Sequence, residues 1–569
     1  MRPLSLLAAL SVLLLNACYG AGDGKAPPLD ELYFPTGLAV DGLSKSDEGD
    51  GAPKFLYIAN SDFDLQYRAS TVISYDLDLL RKVVPRNCTK TADCQGGYIC
   101  DAPGVDGIPT DAARVPSYYC VDPADPAPCG AFGERDEADL VLNPGRCKSV
   151  EPLAPQDGTP SLLHDSVGIG AFATDVIWRA NPNADSAFPS RIFIPVRGDA
   201  TLHWIDLQNG RFSCGQTGGD DNSCDDLHRS GDSTSDNIDQ LKQPAEPYSV
   251  DVTVDGKYAA ISNQTSGSVS LFANDWSSNG GPKLVSILGG LPYGPVAVAA
   301  LPEIEFANGA RPAPGFLVAY RSAPQIDLLR VRSDAADTGT SLVNYTRYEL
   351  SRAGSASISA NSLGFDSHGI AIDDSQRAKE YAACHQTAGD CDLAQDPVQC
   401  SIDLQKCLRA VHQPSVFVSS RSPASLLVGA LTSDTSLAGT NELPSFSDSI
   451  PLTFGPSRVI LGDVKVWGSA QSEQQDAFGP YELERRVFVV CFDSRRIFVY
   501  DPKRRAIEAI VSTGRGPYAL AVDSVRGLAY LGHFTDSYLG VVSLDQRFPQ
   551  TYATIVASIG APKPPRSSK

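Results

Sequence analysis

Polar side chains that end short apolar segments are the groups in this sequence best suited to do chemistry. Six such segments end in Asn, Arg or His, at Asn60, Arg197, Asn263, Arg321, Arg421 and His533. Guanidinium groups match carboxylates and phosphates because their N–H donors are paired in one plane. Three Arg at comparable positions in a chain of net charge −20 therefore predict a local anion-binding site, provided that the fold brings these segment ends together.

A second set of side chains follows a short repeated pattern of Pro, any residue, a small residue and alternating apolar residues. Clear copies begin at Pro35, Pro247, Pro295 and Pro517, and weaker copies begin at Ala173, Ser367 and Pro456. The variable position holds Thr36, Thr174, Tyr248, Val296, His368, Ser457 and Tyr518. Among these, His368, Tyr248 and Tyr518 could donate hydrogen bonds to a ligand.

The elements that must position both sets are short strands in a sevenfold repeat. After each copy of the pattern comes a second β-rich segment, namely Phe55–Asn60, Ile192–Arg197, Tyr258–Asn263, Phe316–Arg321, Val416–Arg421, Val487–Phe492 and Leu528–His533. A third strand follows, and a shorter fourth is predicted at Arg81–Val84 and Ala506–Val511. Four strands per unit predict an all-β fold, a seven-bladed β-propeller.

The segments YIAN and AISN, each followed by a strand, resemble those of the YVTN family of propeller proteins. In such a fold the first strand of each blade runs down beside a central channel and the second runs back. The two sets should therefore meet on one face and form a ligand-binding site of Arg197, Arg321, Arg421, His368, His533, Asn60, Asn263, Tyr248 and Tyr518. The alternative interpretation is structural: the polar residues cap strands, and each Arg pairs with a nearby acid such as Asp199.

Other chemistry finds little support in the sequence. Motifs for haem attachment, zinc proteases, serine hydrolases and phosphate-binding loops do not occur. The acidic stretch Asp220–Asp226 could hold Ca²⁺, but it lacks the ligand spacing of an EF-hand loop, and a solvated turn tied by Cys214–Cys224 is favoured. We therefore predict no metal and no cofactor. The net negative charge also disfavours nucleic acid as a partner.

The N-terminal residues predict export. An apolar run from Leu4 to Leu15 follows Arg2 and ends in Leu-Asn-Ala-Cys at Cys18, which resembles the lipobox of bacterial lipoproteins. The resemblance implies a signal peptide over residues 1–17 and lipid attachment at Cys18. Since Tyr19 is not the Asp that implies inner-membrane retention in that family, an outer-membrane location is favoured. The alternative is an ordinary secretory signal in which Cys18 is incidental.

The remaining cysteines are typical of an oxidising compartment. Twelve of them fall in even local clusters and are expected in disulfides: Cys88, Cys94, Cys100, Cys120, Cys129, Cys147, Cys214, Cys224, Cys384, Cys391, Cys400 and Cys407. In the helical stretch 375–411 a seven-residue spacing rises about 10 Å, too far for a bridge within one helix. The predicted bridges are therefore Cys384–Cys407 and Cys391–Cys400, and Cys491 is expected to be a buried free thiol.

These features predict a tether over residues 18–33, a propeller over 34–560 and a flexible tail over 561–569. Three insertions are expected: a Cys-rich segment at 86–166, a disulfide loop at 213–245 and a helical hairpin at 375–411. The first should lie between the last strand of blade one and the first strand of blade two. The segment Tyr552–Ile559 is expected to supply a strand that helps to close the ring.

The predicted function is a non-catalytic binding or scaffold lipoprotein of the cell envelope. Its expected partners are the membrane through the lipid anchor, and an acidic envelope protein or an anionic small molecule. The alternative is an enzyme, because propellers of related look include lactone hydrolases and His368 or His533 could assist the attack of water on a lactone. Against it, no carboxylate occurs in either set of residues to act as a base.

Overall fold

The computed structural model describes residues 24–563, except 43–50, 85–86, 89–98, 102–117, 122–148, 155–159, 184–187, 217–221, 235–236, 238, 278–279, 304–311, 334–346, 359–364, 390, 392–395, 434–441, 470, 473, 477 and 550. Seven antiparallel sheets follow one another along the chain, and their first strands contact each other in a closed ring. The fold is a seven-bladed β-propeller, as the repeat predicts.

The blades contain the following strands, each blade given from its inner to its outer strand. Blade 1 holds β1 (Pro35–Val40), β2 (Phe55–Asn60), β3 (Ser70–Asp76) and β8 (Leu163–Ile169), and blade 2 holds β9 (Ile177–Ala180), β10 (Ser190–Val196), β11 (Thr201–Gln208) and β12 (Arg211–Ser213). Blade 3 holds β14 (Pro247–Val252), β15 (Tyr258–Asn263), β16 (Ser268–Asn274) and β17 (Pro282–Leu288). Blade 4 holds β18 (Pro295–Ala300), β19 (Gly315–Tyr320), β20 (Gln325–Ser333) and β21 (Tyr348–Ser357).

Blade 5 holds β22 (Phe365–Asp373), β23 (Ser415–Ser422), β24 (Ala424–Ser433) and β25 (Glu442–Pro451), and blade 6 holds β26 (Pro456–Trp467), β28 (Gly479–Cys491), β29 (Arg496–Asp501) and β30 (Ala506–Ser512). Blade 7 holds β31 (Pro517–Asp523), β32 (Leu528–His533), β33 (Tyr538–Ser543) and β34 (Ile555–Ile559). Three short strands extend blades 2, 6 and 7: β13 (Arg229–Ser230), β27 (Gln474–Asp476) and β7 (Ser149–Val150). A separate small sheet contains β4 (Asn87–Cys88), β5 (Ile99–Asp101) and β6 (Tyr118–Val121).

The hydrophobic core lies between the blades rather than inside any one of them. Tyr57 and Val72 of blade 1 pack against Ile192 and Ile194 of blade 2, and the opposite face of blade 1 packs against blade 7 through Ile58. Both faces of each sheet are thus buried by neighbours, which explains the continuous apolar character of the second strands. Within the described ranges, no helix has the length and apolar character needed to cross a bilayer.

The repeated pattern at the start of each blade has a geometric cause. In six blades a β-bulge separates the Pro or Ser position from the small residue. At Gly37 an added Cβ would lie 2.6 Å from the backbone nitrogen of Val176 in the next blade. Small residues are therefore required where the inner strands approach most closely.

The residue before the pattern adopts positive φ in every blade. These residues are Phe34, Phe172, Glu246, Gly294, Asp366, Gly455 and Gly516. Four of them are not glycine, so each blade begins with a backbone conformation that L-residues rarely adopt. The conformation turns the chain sharply from the outer strand of one blade into the inner strand of the next.

The prediction of a fourth strand at Arg81–Val84 is wrong. Residues Leu77–Val83 form helix α1, capped by the side chain of Asp76, which accepts a hydrogen bond from the backbone N–H of Leu79 at 3.0 Å. Leu77, Leu80 and Val83 bury one face of it. The fourth strand of blade 1 is β8, so the Cys-rich insertion interrupts blade 1 instead of separating blades 1 and 2.

The helical insertion has the predicted form. Helices α2 (Ser375–Ala388) and α3 (Pro397–Ala410) form a hairpin joined by Cys384–Cys407 and Cys391–Cys400, with Cα–Cα distances of 5.8 and 5.5 Å. A third disulfide joins Cys214 to Cys224, and Cys491 is a buried free thiol. Residues 1–17, Cys18, the acidic pair at 220–221, the tail from 564 and the side chains of the six cysteines between 88 and 147 lie outside the described residues.

The ring closes between blades 7 and 1, and each of these two blades builds its four main strands from its own stretch of the chain. Strand β34 is the fourth strand of blade 7, so the C-terminal segment forms a strand as its pattern predicts. The seam is held by β1 packing on β31 and by an ion pair between Arg81 and Asp523 at 2.7 Å. In addition, β7 from the Cys-rich insertion pairs with β34 in parallel.

Candidate functional site

The two predicted sets of side chains meet at one end of the channel. However, the residues that end the second strands pair with the first strands in two different registers, which differ by one residue. Asn60, Asn263 and His533 pair with the Pro that opens their blade. In blades 4 and 6 that Pro pairs with Tyr320 and Cys491. Arg321 and Phe492 therefore lie one position further along. Since neighbouring strand residues point to opposite faces, the two registers separate the predicted residues.

The first register places its polar side chains inside the protein. Asn60 is fully buried, donates to Thr71 Oγ1 at 2.9 Å and accepts from the backbone N–H of Tyr33. Asn263 is equally buried and donates to Ser270 Oγ at 3.0 Å. These two amides hold strands and loops together and do not reach the channel end.

His533 is also fully buried and stacks on the ring of Tyr538 at a centroid distance of 4.0 Å. Burial lowers the pKa of His533 to about 3, so the imidazole is neutral in the folded protein. His533 thus lies within blade 7, away from the predicted binding site.

The second register forms what we call the mouth column: Ser61, Arg197, Gln264, Arg321, Arg421, Phe492 and Phe534. Backbone N–H groups of this column donate to the positive-φ residue that opens each blade, as Arg321 does to Gly294 O at 2.8 Å and Phe534 to Gly516 O at 2.7 Å. The mouth column therefore lies on the face that carries the loops between second and third strands and those between blades. We call this face the mouth.

The three predicted arginines all belong to the mouth column, and two of them pair with acids. Arg197 lies 2.8 Å from Glu246 and Arg321 lies 3.2 Å from Asp366. Asp199, the acid expected from the sequence, instead accepts hydrogen bonds from Thr201 and His203. The structural interpretation thus has direct support for these two arginines, although their acidic partners are Glu246 and Asp366 and not Asp199.

Arg421 differs from the other two. It donates to Pro456 O at 3.2 Å and to Ser457 Oγ at 2.9 Å, both neutral acceptors. Among the residues that the structure describes, no carboxylate pairs with its guanidinium. Its charge is close enough to oppose the rise that burial causes in the pKa of Tyr248. Arg421 is thus a half-buried cation at the mouth whose charge is not compensated by an acid.

His368 lies next to this cation and has an acidic partner that the sequence reasoning missed. Its Nε2 lies 2.8 Å from Asp366 Oδ1. Burial lowers the pKa of His368, and the charge of Arg421 lowers it further, although Asp366 opposes both. With Nε2 donating to Asp366, the Nδ1 lone pair is left as an acceptor or base. Asp366 is the positive-φ residue of blade 5, one position outside the predicted sets.

Two other residues that the sequence reasoning missed close the channel below the mouth. Arg458 Nη1 lies 2.9 Å from Asp175 Oδ2, and its Nη2 donates to Thr174 O at 3.1 Å. These residues belong to blades 6 and 2, which are not neighbours, so the ion pair crosses the channel. Both occupy the small-residue position of the repeated pattern. That departure from the pattern is the signal that could have identified them.

Tyr248 and Tyr518 complete this closure, which we call the neck. Their hydroxyls lie 3.0 Å apart and join blades 3 and 7, and the guanidinium of Arg458 lies 4.7 Å from the ring centroid of Tyr518. Burial raises the pKa of Asp175, although Arg458 opposes that rise. The two predicted tyrosines thus hydrogen-bond to each other, so their hydroxyls serve the fold at least as much as a ligand.

Beneath the neck lies a cavity of about 210 Å³. Aliphatic residues of different blades, among them Leu38, Val298, Ile370 and Leu520, line it together with His368 and the neck residues Asp175, Tyr248 and Arg458. A ligand that arrives at the mouth would therefore meet Arg421 before it reaches this cavity, and His368 is part of the cavity wall.

The mouth on the side of blades 6, 7, 1 and 2 is aromatic. Phe534 lies 5.3 Å from Phe34, 5.1 Å from Phe63 and 6.3 Å from Phe492 between ring centroids. The polar groups Arg321, Arg421 and His368 lie in blades 4 and 5. Among the described residues, the mouth thus combines a packed aromatic side with a polar side on which Arg421 has no carboxylate partner.

No model of a protein family and no curated protein matches the chain. Similar solved structures include hydrazine synthase of Kuenenia stuttgartiensis, at 9% identity over 92% of this chain and 99% of that chain with a TM-score of 0.41. A candidate 6-phosphogluconolactonase of Bacteroides uniformis is 10% identical over 88% and 92% of the two chains, with a TM-score of 0.37. The Cps50 (Swd1) β-propeller domain of Myceliophteria thermophila is 8% identical over 89% and 96%, with a TM-score of 0.38. At these values the likenesses carry no argument about activity or ligand.

Proposed function

We propose that this protein is a non-catalytic binding module of the cell envelope that receives an anionic group of its partner at Arg421. The observation that supports this is the contrast among the mouth arginines: Arg197 and Arg321 pair with acids, whereas Arg421 bonds only neutral acceptors among the described residues. A carboxylate or phosphate there would gain charge-assisted hydrogen bonds, each about 1.5–3 kcal/mol.

The test measures binding of inorganic phosphate and of succinate to the full-length protein, with NMR line broadening of the free anion as the readout. Arg421→Gln should abolish the broadening and leave the thermal midpoint unchanged. The matched control is Arg504→Gln, because Arg504 is 73% exposed on a turn at the opposite end of blade 6. Equal binding by Arg421→Gln and the wild type would reject the site, as would loss of folding in Arg421→Gln with normal binding in the folded fraction.

The proposed location is the outer membrane, with a lipid anchor at Cys18. It rests on the Leu-Asn-Ala-Cys sequence and on the Tyr at position 19. Cys18→Ala should block incorporation of labelled fatty acid and leave the protein unprocessed or soluble. Unchanged membrane fractionation and lipid labelling of this variant would refute the anchor.

A second candidate function, a hydrolase acting on lactones, is favoured by one observation, the Asp366–His368 pair at 2.8 Å. Neutral His368 could accept a proton from water as that water attacks the lactone carbonyl, while Arg421 stabilises the oxyanion. The discriminating experiment is turnover of simple lactones by the wild type and by His368→Gln. Turnover lost in His368→Gln establishes the hydrolase, and absence of turnover with retained anion binding establishes the binder.

A further inference from the structure

Three consecutive blades carry an exposed aromatic side chain at the same position of the repeat. Tyr293, Phe365 and Phe454 each lie two residues before the position that opens blades 4, 5 and 6, and they are 61%, 51% and 82% exposed. The equivalent residues of the other blades are Tyr33, Ala171, Ala245 and Arg515. Aromatic rings exposed to this degree in a group are typical of interaction sites rather than of ordinary surface.

Arginines of the mouth column lie in the same arc of blades. Arg321 belongs to blade 4 and is 45% exposed, and Arg421 belongs to blade 5. Because equivalent positions of a propeller lie on one face and are related by the rotation between blades, the three rings and the two cations share one surface. Aromatic residues with Arg form the centres of most protein–protein interfaces. We call this surface the blade 4–6 arc.

We infer that the blade 4–6 arc docks an acidic, apolar segment of a partner protein. A carboxylate of the segment would meet Arg421, and its apolar side chains would pack on the three rings. The inference rests on the proposed function, because Arg421 is the shared anion site, and it adds the class of partner. The chain as a whole has a net charge of −20, so the complementarity is local to the arc and is short-ranged in salt.

The extent of the arc favours a polypeptide over a small anion. Packed sheets lie about 10 Å apart, so rings on three successive blades span roughly 20 Å. A small anion at Arg421 cannot contact all three rings. An extended peptide advances about 3.3 Å per residue, so roughly six residues cover this distance. Because neighbouring residues of an extended peptide point to opposite faces, acidic and apolar residues two positions apart would present both kinds of side chain to the arc.

The experiment uses fluorescein-labelled ten-residue peptides and the full-length protein, with fluorescence anisotropy as the readout. In one peptide every second residue is Glu, Leu, Glu, Phe and Glu in turn, with Ser between them, so that both kinds of side chain share one face. A second peptide replaces Glu by Gln, and a third replaces Leu and Phe by Ser. The first should bind at least tenfold more tightly than either of the others. Equal affinity for the first and the third would overturn the inference, because the rings would then contribute nothing.

Variants separate this inference from the proposed function. Tyr293→Ser, Phe365→Ser and Phe454→Ser combined should weaken binding of the first peptide at least tenfold and leave phosphate binding unchanged. Phe454→Ser alone, at the most exposed site, should weaken it severalfold even if the triple variant folds poorly. Val254→Ser is the control, because Val254 is 64% exposed on the turn between β14 and β15, at the opposite end of the channel.

The outcomes are distinct. If Arg421→Gln changes neither phosphate nor peptide binding, the proposed function fails. If phosphate binding depends on Arg421 but the aromatic variants bind the first peptide as the wild type does, only the docking surface fails. Weakening by Val254→Ser to the same degree as by Phe454→Ser would also overturn the docking surface, since the effect would not be local.

Discussion

Replacing His533 by Asn should make the folded protein less sensitive to acid. Asn is the residue at the equivalent position of blades 1 and 3, as Asn60 and Asn263, so the replacement suits the fold. Burial lowers the pKa of His533 from 6.5 to about 3. Below pH 6.5 the unfolded chain therefore binds a proton on this imidazole that the folded protein does not, and stability is lost as the pH falls.

The size of the effect follows from that difference. Each pH unit between 6.5 and about 3 removes about 1.4 kcal/mol from the free energy of unfolding, so the loss at pH 4.5 is roughly 2.7 kcal/mol. For cooperative unfolding of roughly 500 residues the entropy of unfolding is about 1 kcal/mol per kelvin. The melting temperature of the wild type should therefore fall by about 3 °C more than that of His533→Asn between pH 8 and pH 4.5.

Calorimetry of both proteins at pH 8 and pH 4.5 tests this. The difference at pH 8 gives the cost of losing the stacked contact with Tyr538, and only the change of that difference with pH reports the proton. Other titrating groups are common to the two proteins and cancel. A difference in melting temperature that is the same at both pH values would refute the reasoning, because His533 would then titrate normally in the folded state.

Three further predictions concern the architecture. Asp175→Ala should lower the free energy of unfolding by about 3 kcal/mol, because it leaves the guanidinium of Arg458 without its acid. Asp175→Leu combined with Arg458→Met should recover most of this loss. An unchanged urea midpoint in the single variant would show that the neck ion pair does not stabilise the fold. Gly37→Ala should cost about 1–3 kcal/mol through its contact with Val176, whereas Gly289→Ala, with nothing within 4 Å of the added Cβ, should be nearly neutral, and equal effects of the two would contradict the close-approach argument. Removing the Cys384–Cys407 and Cys391–Cys400 bridges should speed proteolysis of the helical hairpin without changing the melting temperature of the propeller; a lower melting temperature would mean that the hairpin supports the blades.

The repeat was predictable because each copy satisfies a local steric requirement. The small residue is needed where inner strands approach, as at Gly37, and the apolar second strands are needed because both faces are buried. The seven copies therefore identify the blades without any knowledge of contacts between them. The sequence did not identify the helix at Leu77–Val83, because a seven-residue stretch with four apolar residues fits a strand as well as a helix, and only the cap at Asp76 distinguishes the two.

The candidate site was only half predictable, because pairing register decides which face a side chain occupies. Arg421 and Asn60 both end an apolar segment, yet one lies at the mouth and the other inside. A shift of one residue, invisible in the alternation of apolar residues, makes that difference. Asp175 and Arg458 were missed because they lie 283 positions apart in sequence and are joined only by the ring. Asp366 is only two positions from His368, but it precedes the repeated pattern, and its positive φ is not visible in the sequence.

Because β8 lies far along the chain from its partner β3, blade 1 cannot be completed until long after β3 is synthesised. Strand β3 ends at Asp76 and its outer partner begins at Leu163, so everything between must be made before blade 1 is complete. At 5–20 residues per second, this interval lasts roughly 4–17 s. During it the edge of β3 is unpaired, and an unpaired edge is a template for association with other chains. The Cys-rich insertion delays this pairing. At raised expression rates, a shorter insertion should therefore increase the yield of folded protein even if it leaves the stability of the finished ring unchanged.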